Sequence, residues 1–381
     1  MKYTIGDLAE IIDGDRGKNY PQQHEFSDEG YCLFLNTGNV TKEGFSFNSN
    51  QYITKAKSDL LRKGKLQRRD IVYTTRGTVG NAAFYSDDIP YEHIRINSGM
   101  IIIRPKEELV CTEFLYQILK SEYYRPYFRR YCTGSAQPQL PIKNFITIEL
   151  DIPDLQSQRH IADILSTYDA LIENNQKQIK LLEEAAQRLY KEWFVDLRFP
   201  GHENVKIVDG VPEGWSNVAV TDLLEIKYGK DHKGLADGDI PAYGSGGIMR
   251  RVNRALYTGE SVLIPRKGSL NNIMLVRGEF WTIDTMFFSV PKRKNIAKYV
   301  YLFLSNVDMY AMNIGAAVPS MTVKILDGIK LLCPSDEILE RFENVAEPYF
   351  SMVNKLQAQN TALAVARDLL LSKLMNEEIE V

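Results

Sequence analysis

The chain has 381 residues, of which 44% are apolar and 25% are charged, and its net charge is −3. This length predicts two or three domains, and the composition excludes a disordered tail, a collagen-like fibre and a small disulfide-stapled scaffold. No stretch reaches the ~18 consecutive apolar residues of a membrane span, and the acidic start argues against a signal peptide. The four cysteines form no C-x-x-C pair, which indicates reduced thiols and a cytoplasmic protein.

Residues 1–153 are rich in glycine, tyrosine and β-branched residues. Short apolar runs such as Ile71–Thr74 and Met100–Ile103 are typical of strands. The segment Thr112–Ser121 has the apolar spacing of a short helix. These elements predict a mixed α+β module with a curled or barrel-like sheet.

Cations are concentrated in this first module, where positions 55–76 hold eight Lys or Arg against two Asp. Such a run is often only a solvated face, but it also suits neutralisation of DNA phosphates. Two glutamines in the loop 134–143 suit hydrogen bonding to adenine, although a surface turn held by prolines explains them equally well. The candidate DNA-binding residues of this module are Lys63, Lys65, Arg68, Arg69, Arg76, Gln137 and Gln139.

A long helix is predicted next, because no proline or glycine occurs from Leu155 to Phe194. Its apolar residues recur at alternating steps of three and four, which is a heptad seam typical of a coiled coil. The seam residues expected to pair with another helix are Ile172, Asn175, Ile179, Leu182 and Leu189, with the asparagine as the polar member.

A connector rich in glycine and proline, Val195–Trp215, precedes a second α+β region. Its runs Ser261–Ile264 and Met286–Val290 predict strands, and Ile296–Ser305 predicts a short helix. Positions 250–267 hold five Lys or Arg, including Arg254, against one Glu. The candidate DNA-binding residues of this module are Tyr243, Ser245, Arg250, Arg251, Arg266, Lys267 and Ser320.

A second long helix is predicted from Asp336 to Asn376, with a kink or break at Pro348. It keeps the seam phase of the first helix, with Val353 in the place of Ile172. Asn360 and Arg367 interrupt this seam, and two such polar residues would cost stability but fix the register. Two unrelated core helices remain the alternative. The residues expected to pair are Val353, Leu356, Asn360, Leu363 and Leu370.

The chain contains an internal repeat. Gly134–Lys143 matches Gly315–Lys324, including Ala136 with Ala317, while Asp70–Arg76 resembles Glu260–Arg266 at a somewhat larger offset. Parallel helices would require the connector to return ~55 Å, close to its limit at ~3.3 Å per residue. We therefore expect an antiparallel pair and a pseudo-twofold arrangement of the two copies.

The chain shows no catalytic motif that we recognise. It has neither a phosphate-binding P-loop nor a dinucleotide-binding glycine motif, and its five histidines lack metal-ligand spacing. Asp88–Tyr91 superficially resembles the catalytic loop of amino-methyltransferases but lacks its first proline. We expect no catalysis, no cofactor and no metal in this chain.

Three segments carry a specific resemblance: Leu150–Ala162, Leu189–Glu203 and Val211–Trp215. They resemble the strand-to-helix junction, the end of the first long helix and the start of the second target-recognition domain of type I restriction-modification specificity (S) subunits. The second copy departs from the junction pattern at Pro334–Glu340, which lacks the Gln-Arg pair.

The resemblance implies an α+β fold with two target-recognition domains with curled sheets, separated by two long antiparallel helices that form an intramolecular coiled coil. The implied domains are a first recognition domain at 1–153, a long helix at 154–196, a linker at 197–214, a second recognition domain at 215–334 and a second long helix at 335–381.

The resemblance also implies a non-catalytic reader of double-stranded DNA. Each recognition domain would bind half of a bipartite asymmetric site, while the helices set the spacer and dock two modification (methyltransferase) subunits. S-adenosylmethionine, ATP and Mg would be bound by these and by restriction subunits. The alternatives are a self-sufficient methyltransferase or bipartite endonuclease, and a coiled-coil scaffold that does not touch DNA.

Overall fold

The computed structural model of the protein describes residues 1–134, 137–312, 319–376 and 378–379. Ala136, Gly315 and Ala317, which were matched in the sequence repeat, lie outside these residues.

The region before the first long helix consists of short strands and short helices. In chain order they are β1 (Lys2–Thr4), α1 (Ile5–Leu8), β2 (Ala9–Asp13), β3 (Cys32–Leu35), β4 (Val40–Thr41), β5 (Gly44–Phe45), β6 (Tyr52–Ile53), α2 (Lys55–Leu60), β7 (Ile71–Thr74), β8 (Ala82–Phe84), β9 (Ile94–Ile96), β10 (Met100–Pro105), α3 (Thr112–Lys120), α4 (Arg125–Arg129), α5 (Ile142–Phe145) and β11 (Glu149–Asp151).

The remainder of the chain begins and ends with the long helices. In chain order the elements are α6 (Leu155–Tyr190), β12 (Ile207–Val208), β13 (Val211–Pro212), β14 (Ser216–Ala219), α7 (Val220–Leu223), β15 (Leu224–Tyr228), β16 (Ile240–Gly244), β17 (Gly247–Val252), β18 (Tyr257–Pro265), β19 (Met274–Thr282), β20 (Met286–Pro291), α8 (Ala297–Leu304), α9 (Val323–Gly328), β21 (Lys330–Cys333) and α10 (Asp336–Met375).

The contacts divide the chain into two units. Unit 1 contains Met1–Asn174 and Ala358–Val381, and unit 2 contains Asn175–Gln357. Each unit therefore consists of one α+β module together with one half of α6 and one half of α10.

In unit 1 the central sheet has the order β2-β10-β7-β8, and a second sheet has the order β6-β3-β9. Strand β10 is buried on both faces, so its sequence Met100–Ile103 is continuously apolar. Ile101 and Ile103 pack in the cluster that contains α3, and Met100 and Ile102 pack in the cluster on the opposite face.

Unit 2 repeats this layout in a sheet of order β15-β20-β18-β19-β16-β17. Phe287 of β20 packs with α8, while its neighbours Met286 and Phe288 belong to the cluster on the other face. None of the sheets in the described residues closes on itself, so the barrel-like option was wrong and the mixed α+β prediction is confirmed.

Backbone hydrogen bonds establish the internal duplication and correct its register. Strand β10 pairs Met100 with Thr74, and β20 pairs Met286 with Pro265. The two methionines begin equivalent strands, so Thr74 is equivalent to Pro265, whereas side-chain identities had aligned it with Ile264. Arg76 is therefore equivalent to Lys267 and not to Arg266.

The long helices run antiparallel within each unit. In unit 1 the Asn360 side chain lies 3.5 Å from the carbonyl of Ile172, and Arg367, further along α10, reaches Asp169, which is earlier on α6. In unit 2 the rings of Trp193 and Phe342 are 5.7 Å apart between centroids. These contacts confirm the predicted antiparallel pair.

Helix α10 does not break at Pro348, where a kink or break was expected. Phe342 and Ala346 before the proline are fully buried in the unit 2 core, and Tyr349 and Phe350 after it pack against the same core. This packing offsets the one backbone hydrogen bond that the proline cannot donate. Every helix in the described residues is too short or too polar to cross a lipid bilayer.

Candidate nucleic-acid interface

A group of loops meets at one end of the central sheet in unit 1. The amides of Thr75 and Arg76 both donate to the carbonyl of Gly99, at 2.9 and 3.1 Å, and the amide of Leu140 donates to Thr75 at 3.0 Å. The turn after β7, the turn before β10 and the hairpin before α5 are thereby held side by side.

Arg76 is exposed at the centre of these loops. Gly77, which follows it, has a φ of 71°, a left-handed conformation that glycine adopts without a steric cost. The side chain of Arg76 makes no hydrogen bond or ion pair with the residues that the structure describes, so its charge is available to a ligand.

Gln137 and Gln139 are both exposed in the hairpin beside Arg76. Gln139 exchanges two backbone hydrogen bonds with Thr133, at 2.7 and 2.9 Å. The backbone amide and carbonyl of Gln139 are thus both paired, and its side chain is exposed. The structure therefore brings Arg76, Gln137 and Gln139 to the same group of loops.

The other predicted cations of unit 1 have different surroundings. Lys63 and Lys65 are exposed and line a cavity of about 530 Å³ together with Asp13. Arg68 donates to the carbonyls of Ser86 and Ile89, at 2.6 and 3.0 Å, and so holds a neighbouring turn.

Arg69 is engaged by two carboxylates. It lies 2.5 Å from Glu107 and forms a paired contact with Glu113 at 2.9 and 3.0 Å. The hydrogen bonds to Glu113 and Glu107 raise the pKa of Arg69 despite partial burial. Its charge is therefore already compensated within the protein.

Unit 2 forms the equivalent turn with different side chains. The amides of Arg266 and Lys267 both donate to Thr285, at 2.8 and 3.2 Å, and the amide of Met321 donates to Arg266 at 2.9 Å. Gly268 has a φ of 82°, a left-handed conformation like that of Gly77 in unit 1. Lys267 is exposed, whereas Arg266 is half-buried.

The half-buried Arg266 is held by its own unit. Its guanidinium lies 5.3 Å from the ring centroid of Tyr228 and donates to the carbonyl of Asp284 at 3.2 Å. Lys267, in contrast, forms a backbone bridge with Ser320, so the predicted residue Ser320 does lie beside this turn.

The loop that follows β16 also lies beside the turn formed by Lys267 and Gly268. The carbonyl of Ser245 accepts a hydrogen bond from Asn272 at 2.9 Å, and a Cβ on Gly268 would lie 2.7 Å from the Ser245 hydroxyl. Tyr243 is half-buried against Phe280, and burial raises the pKa of its hydroxyl.

Arg250 and Arg251 point elsewhere, toward the loop 235–239. Arg250 lies 2.7 Å from Asp237, and Arg251 donates to the carbonyl of Asp239 at 2.5 Å. Their contacts do not connect them to the Lys267 turn.

Sequence reasoning missed the turns that follow β2 and β15. Arg16 is exposed and donates to the carbonyl of Ser98 at 3.3 Å, next to the Gly99 that holds Arg76. Lys230 is exposed and its amide donates to Thr282 at 2.8 Å. A pattern in the sequence could have shown these turns, because Asp7–Lys18 and Asp222–Lys233 share Asp-Leu-x-Glu-Ile-x-x-Gly-x-x-x-Lys.

The predicted helix-pairing residues are all buried or half-buried. Asn175, Val353 and Leu356 retain 5%, 8% and 6% of their exposure. The half-buried members are Ile172, Ile179, Leu182, Leu189, Asn360, Leu363 and Leu370. Among the described residues, no group of three or more His, Cys, Asp or Glu side chains is arranged to hold a metal ion.

A family model agrees with this architecture of two similar modules. The model of the type I restriction modification DNA specificity domain matches residues 1–184 and 212–359. The chain belongs to this family.

Individual members show how far the similarity extends. The MjaIX specificity subunit of a type I restriction enzyme from Methanocaldococcus jannaschii is 26% identical over 342 residues, which cover 82% of this chain and 78% of that protein. The HindI specificity subunit from Haemophilus influenzae is 23% identical over 98% of this chain and 100% of its own length.

A solved structure has the same fold. The crystal structure of the type I restriction-modification S subunit from M. genitalium matches with a TM-score of 0.50 at 18% identity, and the match covers 98% of this chain and 95% of that chain. This chain and that S subunit therefore have the same fold.

Proposed function

We propose that this chain is a non-catalytic DNA-recognition subunit in which the module of each unit binds one half of a bipartite, asymmetric DNA site. The observation that carries the proposal is the repeated turn. Arg76-Gly77 and Lys267-Gly268 are held by the same backbone hydrogen bonds, and each turn presents an exposed cation beside the same loops.

The shared cations suit contacts to phosphates, which position a protein on DNA without reading its sequence. The loops around them differ between the units: Gln137 and Gln139 stand beside Arg76, whereas Ser245 and Ser320 stand beside Lys267. Glutamine pairs well with adenine, and a serine hydroxyl can accept or donate. Two modules with different target sequences require a similar cation to contact phosphates and different side chains beside it to contact bases.

The long helices would set the unspecified spacer between the half-sites and dock the modification subunits. At ~1.5 Å per residue, α6 and α10 are about 54 and 60 Å long. Leu171 on α6 and Met352 on α10 occupy equivalent positions of the two helices and are 49% and 43% exposed. Two equivalent apolar positions suit one modification subunit for each helix.

Catalysis and cofactors would then belong to the partners. S-adenosylmethionine would be bound by the methyltransferase subunits, and ATP and Mg by the restriction subunits. This division agrees with the lack of recognisable catalytic motifs in the chain.

The test is methylation of a DNA library by the chain reconstituted with its modification subunits. We expect a bipartite motif, which Arg76→Ala and Lys267→Ala should each methylate at least tenfold more slowly. DNA affinity should fall steeply as salt rises, and each variant should reduce the salt slope by about one charge.

Lys206→Ala provides the matched control, because Lys206 is exposed in the connector, where its carbonyl accepts a hydrogen bond from the amide of Glu213. It should leave methylation unchanged. A scaffold that does not touch DNA would show no salt-dependent binding, and a self-sufficient methyltransferase would methylate DNA without added subunits; either result would contradict the proposal.

A further inference from the structure

The short helix of each module carries an opposite charge at the same position. Helix α3 begins at Thr112 and α8 begins at Ala297, so Glu113 and Lys298 are each the second residue. Glu113 forms a paired contact with Arg69, and Lys298 lies 3.0 Å from Glu260. Counting back from Thr74 and Pro265 matches Arg69, in the turn before β7, with Glu260, within β18. The second residue of each short helix is therefore ion-paired with a residue at a similar place in the chain, and the polarity of the pair is reversed between the units.

The long helix of unit 2 carries acidic residues that match the basic charge of Lys298. In unit 2, Glu343 and Glu347 of α10 lie 2.5 and 2.8 Å from Lys298, whose side chain is only 3% exposed. Burial alone would lower the pKa of Lys298, but the hydrogen bonds with these two glutamates and the charge of Glu260 raise it.

The corresponding positions of α6 carry no acid. The helix alignment that matches Leu171 with Met352 places Ala162 and Ser166 where α10 has Glu343 and Glu347. The small cavity at this position of unit 1, about 300 Å³, is lined by Glu113 together with Arg159 and Asp163 of α6. The long helix therefore presents two acids to a basic module residue in unit 2, whereas in unit 1 it presents one arginine and one aspartate to the acidic Glu113.

The positions at which Glu113 and Lys298 face the long helices form a first junction between module and helices. A second junction, at the end of the short helix, also differs in charge between the two units. In unit 1, Lys120 of α3 lies 2.5 Å from Asp169 of α6, which also pairs with Arg367 of α10 at 2.7 Å. The equivalent residues of unit 2 are uncharged: Ser305, Phe350 and Ala186, respectively. Phe350 packs there against the ring of Tyr301, with the centroids 5.9 Å apart.

We propose that these two junctions determine which recognition module packs on which halves of the long helices. Module 1 placed on the unit 2 helices would bring Glu113 against Glu343 and Glu347. It would also place the ammonium of Lys120 beside Phe350, which occupies the position that the Asp169 carboxylate has in unit 1.

Such repulsion is needed because the two copies share a fold. Two modules that both fit helices of the same shape could exchange positions within one chain or between two chains. Like charges, and a cation moved away from its Asp169 partner, penalise the wrong pairing, while in the correct pairing Lys120 and Lys298 each contact carboxylates of the long helices. This inference concerns assembly of the chain and does not depend on DNA binding.

A double-mutant cycle in the full chain tests the charge reversal. Lys298→Glu should lower the melting temperature of the full chain by roughly 5 °C or more relative to Lys298→Met. In the background Glu343→Gln with Glu347→Gln, the same comparison should shrink by at least half, because the opposing carboxylates are gone. Equal differences in both backgrounds would overturn the proposal.

A chimera tests the module directly. A chain in which residues 1–153 replace residues 215–334 should melt at a lower temperature than the parent chain or form soluble aggregates. Substitutions Arg69→Glu, Glu113→Lys and Lys120→Ser in the second copy should restore a single melting transition near that of the parent. A chimera that is as stable without these substitutions, or that gains nothing from them, would contradict the proposal.

Discussion

Arg367 of α10 and Asp169 of α6 form an ion pair at 2.7 Å across the two long helices of unit 1. The second oxygen of Asp169 accepts hydrogen bonds from Lys120 at 2.5 Å and from Gln117 at 2.6 Å. Burial would raise the pKa of Asp169, but the charges of Lys120 and Arg367 outweigh it and lower the pKa. Arg367, a polar residue of the seam, can pair with Asp169 in only one register of the two helices. This pair therefore opposes sliding of one helix along the other.

Asp169→Ala should be strongly destabilising, because it removes the carboxylate that Lys120 and Arg367 share and leaves Arg367 paired with Asp368. Removal of one partner from a buried pair costs ~3 kcal/mol in the free energy of unfolding. Urea denaturation of the full chain measures this loss.

The control uses the uncharged residues that unit 2 has at the same positions. Gln117→Leu, Lys120→Ser, Asp169→Phe, Arg367→Ala and Asp368→Gln together should recover most of the lost stability, since replacement of a whole buried charge cluster by packed residues is often neutral. If Asp169→Ala unfolds at the same urea concentration as the parent, the cluster is not part of the helix register.

Lys120 should also make the stability depend on pH. Burial lowers its pKa to about 8, although the charge of Asp169 opposes the shift. An unfolded lysine titrates near 10.4, so between about pH 8 and pH 10.4 the unfolded chain binds more protons than the folded chain. The contribution of Lys120 to stability therefore rises with pH across this window.

The measurement is the free energy of unfolding of the parent chain minus that of Lys120→Met, at pH 7 and at pH 10. We expect this difference to shift in favour of the parent at the higher pH. A difference that is constant, or that moves the other way, would mean that the ammonium keeps its ordinary proton affinity in the folded chain.

Arg69 and Arg76 should behave differently when they are replaced, although they are close in the sequence. Arg69 is paired with Glu107 and Glu113, whereas Arg76 is exposed on the turn. Arg69→Ala should lower stability by less than ~1 kcal/mol, since the pair is half exposed, and should leave DNA affinity unchanged. Arg76→Ala should leave stability unchanged and lower DNA affinity. Thermal melting measures the first quantity, and titration of DNA at several salt concentrations measures the second.

The sequence predicted the elements that have a short hydrophobic period, such as the long helices, and those that consist of a continuous apolar run, such as the buried strands. Strands such as Ile71–Thr74 and the ends of the long helices agree with the structure to within a few residues. The continuation of α10 through Pro348 was not predictable, because packing of Phe342 and Phe350 on both sides of the proline decides it.

The candidate interface was harder to predict than the fold. Side-chain identities aligned Arg76 with Arg266, whereas backbone pairing aligns it with Lys267, and only strand register could decide between them. The engagement of Arg69 by carboxylates that are distant along the chain has no local pattern either.

The glycines that follow the two exposed cations provide a final prediction. A Cβ atom at position 77 would have no other atom within 4 Å. Gly77→Ala should therefore lower the free energy of unfolding only through the strain of the left-handed backbone, by about 1 kcal/mol. Gly268→Ala carries the same strain and also places a methyl group 2.7 Å from the Ser245 hydroxyl, so it should be the more destabilising of the two.

Gly246→Ala is the matched control, because Gly246 has no neighbour within 4 Å and is not among the glycines with positive φ. We expect it to leave stability within ~0.5 kcal/mol of the parent. If the turns present the cations to DNA, both Gly77→Ala and Gly268→Ala should weaken DNA binding beyond their effect on melting, since relief of the strain moves Arg76 or Lys267. Unchanged DNA affinity in both variants, with normal folding, would place the DNA contacts on other loops.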